Sequence, residues 1–178
     1  ASGILGVTAS SMINVVKNGC AMPTTKSTSI KERKGHPSPV MMVYGPGMIN
    51  AVGLSNPGAK NTVNEILDYK KRTKAPIIAS VFASNVKDFG KVTKEISKSK
   101  PTLIEANISC PNVEDEFGKP FSTDPKLAAQ VTRIVKKNAN CPVIIKLSPN
   151  VHNIAVIAKA VEKAGADIIN AINTVGPG

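Results

Sequence analysis

The chain has 178 residues, 42% of them hydrophobic and 20% charged, with a formal net charge of +11. That length allows one domain with a real core, and the balance suits a soluble globular protein. No apolar run approaches the ~20 residues that span a bilayer, so no membrane contact is expected. Three cysteines (Cys20, Cys110 and Cys141) with no CxxC spacing argue against a disulfide framework and against a zinc site, so no metal is expected. A reducing, cytoplasmic location follows. The opening residues lack a basic stretch ahead of an apolar run, so no signal peptide is expected. The excess cations are nearly all lysines, spread over several helices, with Arg33, Arg72 and Arg133 the only arginines. Aromatic content is 3% with no Trp, which removes a base-stacking platform, so nucleic-acid binding is not expected.

In chain order, apolar spacing predicts a helix over 7–18, with Thr8, Ser10 and Ser11 as cap candidates. A short strand is predicted over 20–25, running into Lys26. Residues 29–60 read as a long irregular segment rich in Gly, Pro and Asn, a length that is often functional. A helix over 61–74 is followed by an apolar run at 76–82, as in a strand buried on both faces. Next come a helix over 86–99, interrupted by Gly90, and a strand over 102–108. Asp124-Pro125 opens another helix, with Asp124 as N-cap. A buried strand at 142–145 ends in Lys146, a helix over 153–164 is closed by Gly165, and a last strand covers 167–172.

Alternating strands and helices leave a doubly wound sheet or a (β/α) barrel. No GxGxxG follows the first strand, which weakens a dinucleotide-binding Rossmann reading. Polar residues instead gather at the ends of several strands: Lys26 and Ser27, Ser80, Asn107 to Asn112, Lys146, Asn173 and Thr174. That distribution favours the barrel, whose site is assembled from all its strand ends. A barrel typically needs about 250 residues. The sequence is therefore expected to be an incomplete barrel of about six strand–helix units, lacking the first strand and the last two units.

The chemistry concentrates in Asn107-Ile108-Ser109-Cys110-Pro111-Asn112, where an apolar strand gives way to a polar loop. Alone, that stretch reads equally as a turn. Cys110 is its only group able to exchange a proton near neutral pH. Lys146 follows four apolar residues, and burying an ammonium is costly unless an anion meets it. Paired carboxylates are absent, and His36 and His152 lie far apart, so glycosidase and metal-hydrolase chemistry do not fit. A planar, anionic, amide-bearing ligand fits, with Cys110 moving a proton.

The same stretch closely resembles the signature of class 1 dihydroorotate dehydrogenases. Further landmarks recur in order: Ala1-Ser2-Gly3, Thr24-Thr25-Lys26-Ser27, the run from Asn50 to Gly58, Lys146-Leu147-Ser148-Pro149-Asn150 and Ile172-Asn173-Thr174. The resemblance spans essentially the whole chain. It implies a TIM barrel, one FMN-binding domain over 1–178, and oxidation of dihydroorotate to orotate in pyrimidine biosynthesis. It implies FMN contacts from Ala1, Ser2, Gly3, Lys26, Ser27, Ser80, Asn107, Lys146 and Ile172. Substrate contacts would come from Lys26, Asn50, Val52, Gly53, Leu54, Asn107, Asn112, Asn173 and Thr174. Cys110 would be the general base, and residues 114–123 a lid. Ser80 stands where many members carry Asn, and the family's phosphate-binding glycines lie on the two missing strands. The wording is closer to the NAD-linked 1B type, which pairs with an iron–sulfur FAD electron-transfer subunit. A homodimer or a heterotetramer is implied. Two rivals are a dihydropyrimidine dehydrogenase-type flavin domain and a non-enzymatic truncated barrel acting as an interaction or nucleic-acid-binding module.

Overall fold

A computed structural model of the chain describes residues 2–108 and 121–176. In chain order it contains α1 (Ala9–Lys17), β1 (Met41–Tyr44), β2 (Gly47–Asn50), α2 (Ala59–Arg72), β3 (Ile78–Val81), α3 (Val86–Ser97) and β4 (Leu103–Asn107). A 3-10 turn (Phe121–Thr123), α4 (Pro125–Asn138), β5 (Val143–Lys146), α5 (Ile154–Lys163) and β6 (Ile168–Asn170) complete it.

Strands β3 to β6 form one parallel sheet in the order β3-β4-β5-β6. A doubly wound sheet reverses its strand order at a switch point; here spatial order follows chain order without reversal, as in a barrel. Residues 24–28 extend the arc on the other side of β3, with parallel bridges from Thr24 to Ile78 and from Thr28 to Val81. The strand expected over 20–25 is thus displaced towards the site and reduced to isolated bridges. Pro23 cannot donate to a ladder, and contributes only its carbonyl, to Ile78 N at 3.0 Å. The described strands form an open arc that fits part of a TIM barrel.

The helices form for local reasons that agree with the packing. Thr8 and Ser11 make a reciprocal capping box at α1. Asn85, Asp124 and Asn153 each accept a backbone N–H at the start of α3, α4 and α5. Such caps are worth about 1 kcal/mol each. The helix stripes bury Ile66, Tyr69, Phe89, Val92, Ile96, Val131 and Val135 against Ala79, Val81, Ile104, Ala106, Val143 and Ile145 of the sheet. Phe89 also meets Phe121 edge to face, with centroids 5.5 Å apart. Gly90 does not interrupt α3. A Cβ there would lie 2.9 Å from Ile134 Cγ1, so the glycine lets α3 and α4 approach closely.

The segment expected to be irregular, 29–60, contains an antiparallel hairpin, with Met41 paired to Asn50 and Tyr44 to Gly47. Its signal was an apolar run on each side of Gly45-Pro46-Gly47. One central residue, Gly45, takes φ +36°, which suits glycine.

Asp167 ties the start of β5 to α4: its Oδ2 accepts from Val143 N and from Lys136 Nζ, each at 2.6 Å. Lys136 first, then the Val143 N–H, hold this carboxyl below its ordinary value. A lowered folded-state value adds stability above the unfolded value, about 3.9 for Asp, and that stability is lost as pH falls through the folded value. Asp167→Asn is therefore expected to lower the urea midpoint at pH 7 and to flatten the loss of stability below about pH 4. Urea titrations across that pH range measure both effects.

Candidate functional site

The parallel register brings the last polar residues of adjacent strands into one row. Asn107, Lys146 and Asn170 are successive partners across β4, β5 and β6. One step nearer the strand starts, Ser80 pairs with Glu105. Side chains that point into a barrel must find partners there. Glu105 Oε1 accepts from Ser80 Oγ at 2.9 Å, and Oε2 from Asn170 Nδ2 at 2.7 Å. Ser80 Oγ lies 2.8 Å from Ser27 Oγ, to which Asn107 Nδ2 donates at 3.3 Å. Lys146 is 7% exposed and donates to Ser2 Oγ at 3.2 Å. A lysine that simply reaches past Leu147 to solvent is therefore not what the fold contains.

Above this row lies a cavity of about 330 Å³, within the range of small-molecule sites. The strand ends supply Lys26, Ser27, Asn107 and Lys146 to its lining. Ser2 and Gly3 come from the N-terminal segment, which is pressed against 24–26. Lys26 N donates to Gly6 O at 2.8 Å, and a Cβ on Gly6 would fall 2.4 Å from Thr24 O. Asn50, Val52, Gly53 and Leu54 arrive from the loop after β2, and Asn173 and Thr174 from the segment after β6. Leu147 O accepts from Asn173 N at 2.9 Å, which fixes that segment.

The loop at 50–54 is held from behind. Gly53 (φ +67°) and Leu54 (φ +59°) are both left-handed, a cost of roughly 1–2 kcal/mol for the leucine. Burial of Leu54 opposes that cost. Arg33 Nε donates to Gly53 O at 2.8 Å, and Arg33 and Asn56 exchange backbone hydrogen bonds. Asn56 Oδ1 accepts from Thr28 Oγ1 at 2.9 Å and from Gly58 N at 2.9 Å, while its Nδ2 donates to Leu54 O at 2.8 Å.

Twelve of the expected residues thus meet at one cavity: Ser2, Gly3, Lys26, Ser27, Asn50, Val52, Gly53, Leu54, Asn107, Lys146, Asn173 and Thr174. Two others sit elsewhere. Ser80 is fully buried beneath Ser27 rather than on the lining, because its hydroxyl is engaged with Ser27 and Glu105. Ile172 is 41% exposed and does not line the cavity. Ala1, Cys110 and Asn112 lie outside the described residues, as do residues 114–120 of the expected lid. The remainder of that lid is the 3-10 turn. Residue reading missed Met41 and Met48 of the hairpin and Ile4, which add apolar walls. It also missed Glu105, whose signal was a lone acid inside an apolar strand.

Among the described residues no cluster of three His, Cys, Asp or Glu could hold a metal, and no helix is long and apolar enough to cross a membrane. Two ammonium groups, three amides and three hydroxyls around an apolar-walled cavity suit a planar ring edged with N–H and C=O groups. A flavin isoalloxazine has such an edge, and the donor set fits it.

Fold and site together define a partial α/β barrel with a polar, lysine-bearing cavity at its strand ends. Over residues 1–178 the chain matches the family model for dihydroorotate dehydrogenase, and it belongs to that family. It is 46% identical over 175 residues to the dihydroorotate dehydrogenase B (NAD(+)) catalytic subunit of Thermoplasma volcanium, covering 98% of this chain and 57% of that protein. It is 46% identical over 151 residues to the protein of the same name from Bacillus pumilus, covering 84% of this chain and 48% of that one. The chain thus spans about half the length of these relatives. A solved DHODH from Eimeria tenella, in complex with ferulenol, superposes with TM-score 0.79 at 14% identity, over 96% of this chain and 54% of that one. At that identity it speaks for the fold.

Asn56→Ala is expected to cost about 1–3 kcal/mol, because it strands the buried donors of Thr28 and Gly58. Denaturant melts give the cost. The same variant should show faster amide exchange in 50–54 than in β3, and uniform exchange would show that Asn56 does not clasp this loop.

Proposed function

We propose that this chain carries the catalytic centre of a class 1B dihydroorotate dehydrogenase, a single FMN-binding domain that oxidises dihydroorotate to orotate in pyrimidine biosynthesis. The observation that carries the reading is the convergence of Lys26, Asn50, Asn107, Lys146 and Asn173 on one cavity in a chain of this family.

FMN, when bound by these residues, would supply the acceptor for the hydride that leaves substrate C6. The chain's residues do the rest. Cys110, as thiolate, takes the C5 proton, so that loss of a proton and a hydride leaves the ring double bond of orotate. A thiol serves this purpose when cations or hydrogen bonds favour its thiolate. Lys146 places a positive charge where a reduced ring gathers negative charge, an electrostatic effect that is large in a water-poor site. Lys26, on the cavity lining, would touch both flavin and substrate. Asn50, Asn107, Asn112, Asn173 and Thr174 bind the substrate ring edge and carboxylate, helped by backbone groups of Val52, Gly53 and Leu54. Ser2, Gly3 and Ser27 hold the flavin ring with Lys26, Asn107 and Lys146. Ser80 acts through Ser27.

The relatives are named as catalytic subunits, which supports a partner. We assign this role to an iron–sulfur FAD electron-transfer subunit that passes electrons to NAD+, in a heterotetramer located in the cytoplasm. The dihydropyrimidine dehydrogenase-type alternative takes a ring without a carboxylate, and two ammonium groups in the cavity favour orotate over uracil.

The intact protein is expected to be yellow and to lose its flavin bands on addition of dihydroorotate; preferential binding of uracil over orotate would overturn the substrate. Cys110→Ala should keep the flavin and slow its reduction by about 100-fold or more. A wild-type rate in stopped-flow absorbance would remove Cys110 as the base. Lys146→Ala should release FMN more readily on dilution, as measured by the rise in free-flavin fluorescence.

A further inference from the structure

Glu105 is the acid that neither residue reading nor the mechanism uses. It lies in the middle of β4 and is 2% exposed. Both its oxygens accept hydrogen bonds, from Ser80 Oγ at 2.9 Å and Asn170 Nδ2 at 2.7 Å. A hydroxyl has one hydrogen to give. Ser80 gives its hydrogen to Glu105, so in the 2.8 Å contact with Ser27 Oγ Ser80 must accept. Ser27 thereby commits its own hydrogen to Ser80, and its oxygen accepts from Asn107 Nδ2 at 3.3 Å. The alternative acceptor for Ser27, Ser2 Oγ, is farther away at 3.2 Å, and it already accepts from Lys146 Nζ.

Every bond in this chain points the same way, from Asn107 through Ser27 and Ser80 to Glu105. A carboxylate cannot donate, so the direction cannot reverse while Glu105 ends the chain. With a donor in that place, Ser80 and Ser27 could both turn, and Ser27 would then present its hydrogen to Asn107. The amide would have to rotate to meet it with Oδ1. Asn107 and Ser27 line the cavity, whereas Glu105 and Ser80 lie beneath it.

We propose that Glu105 is a positioning residue: through Ser80 and Ser27 it fixes which end of the Asn107 amide faces Ser27, and so which hydrogen-bonding character Asn107 offers to a ring in the cavity. This inference rests on the ring-binding reading given above. A ring edged with alternating N–H and C=O groups is read by polarity. An amide presented the wrong way round sets donor against donor, which a site of this kind penalises heavily. The carboxylate thus acts on specificity without touching the ligand.

The test uses the intact protein and two variants. Glu105→Gln keeps the size but brings a donor, so both directions become possible. Ser80→Ala cuts the chain between the carboxylate and the cavity. Each is expected to weaken orotate binding about fivefold to tenfold, the worth of one or two net hydrogen bonds, measured by flavin perturbation and corrected for folded fraction. Because both variants cut one chain, the double variant should be no weaker than the worse single. A merely structural role predicts a lower melting temperature with wild-type affinity in the folded fraction. That result, or losses that multiply in the double variant, overturns the proposal. A second measurement needs no orotate: the side-chain amide signals of Asn107, observed after selective 15N-asparagine labelling, should shift in Ser80→Ala. Unmoved signals overturn the proposal as well. If the wild-type protein fails to bind orotate, the substrate assignment falls, and the Asn107 signals still decide the role of Glu105.

Discussion

Polar side chains pointing into a barrel cannot be left without partners, and here that constraint ties neighbouring strands together. A buried acceptor or donor without a partner costs about 1–3 kcal/mol. Among the described residues, Glu105 on β4 is satisfied by Ser80 on β3 and Asn170 on β6. Lys146 on β5 finds Ser2, more than a hundred residues away in the chain. A slip of one strand by a single residue would turn each of these groups to the opposite face. The interior network therefore specifies register, and the apolar contacts beneath the helices supply the bulk of the stabilisation.

The same network explains why the cavity can be built from six separate stretches of chain. Strand ends are rigid, and they place Lys26, Ser27, Asn107 and Lys146. The other contributors are each fastened to that frame by hydrogen bonds or close backbone contact. Gly6 lets the N-terminal segment lie against Thr24 at a distance no side chain would tolerate. Asn56 fastens the loop that carries Asn50 to Leu54. Leu147 fastens the segment that carries Asn173. Precision at a binding site depends on such supporting contacts.

Much of this could be read from the residues alone, for identifiable reasons. The runs at 76–82, 102–108 and 142–145 are continuous and apolar, and only buried parallel strands read that way. Asp124-Pro125 and Asn153 mark helix starts by chemistry that depends on nothing distant. Elements whose identity depends on distant partners were harder. The hairpin hid in a segment dominated by turn-forming residues. The strand near Pro23 moved downstream because its pairing is set by β3. Ser80 looked like a cavity residue, and only the position of Glu105 reveals that it lies one layer deeper. Gly90 looked like an interruption because sequence alone does not show Ile134 packed across from it.

The hairpin of β1 and β2 closes its hydrogen bonds within itself: among the described residues no further strand joins it. It nevertheless lends Met41 and Met48 to the cavity wall, while Met42, Val43 and Tyr44 stand out into solvent. Substitutions there leave the barrel's register and its interior network untouched. The hairpin is therefore where a side chain can be exchanged at least cost to the fold, altering the cavity wall while the hydrogen bonds beneath it stay in place.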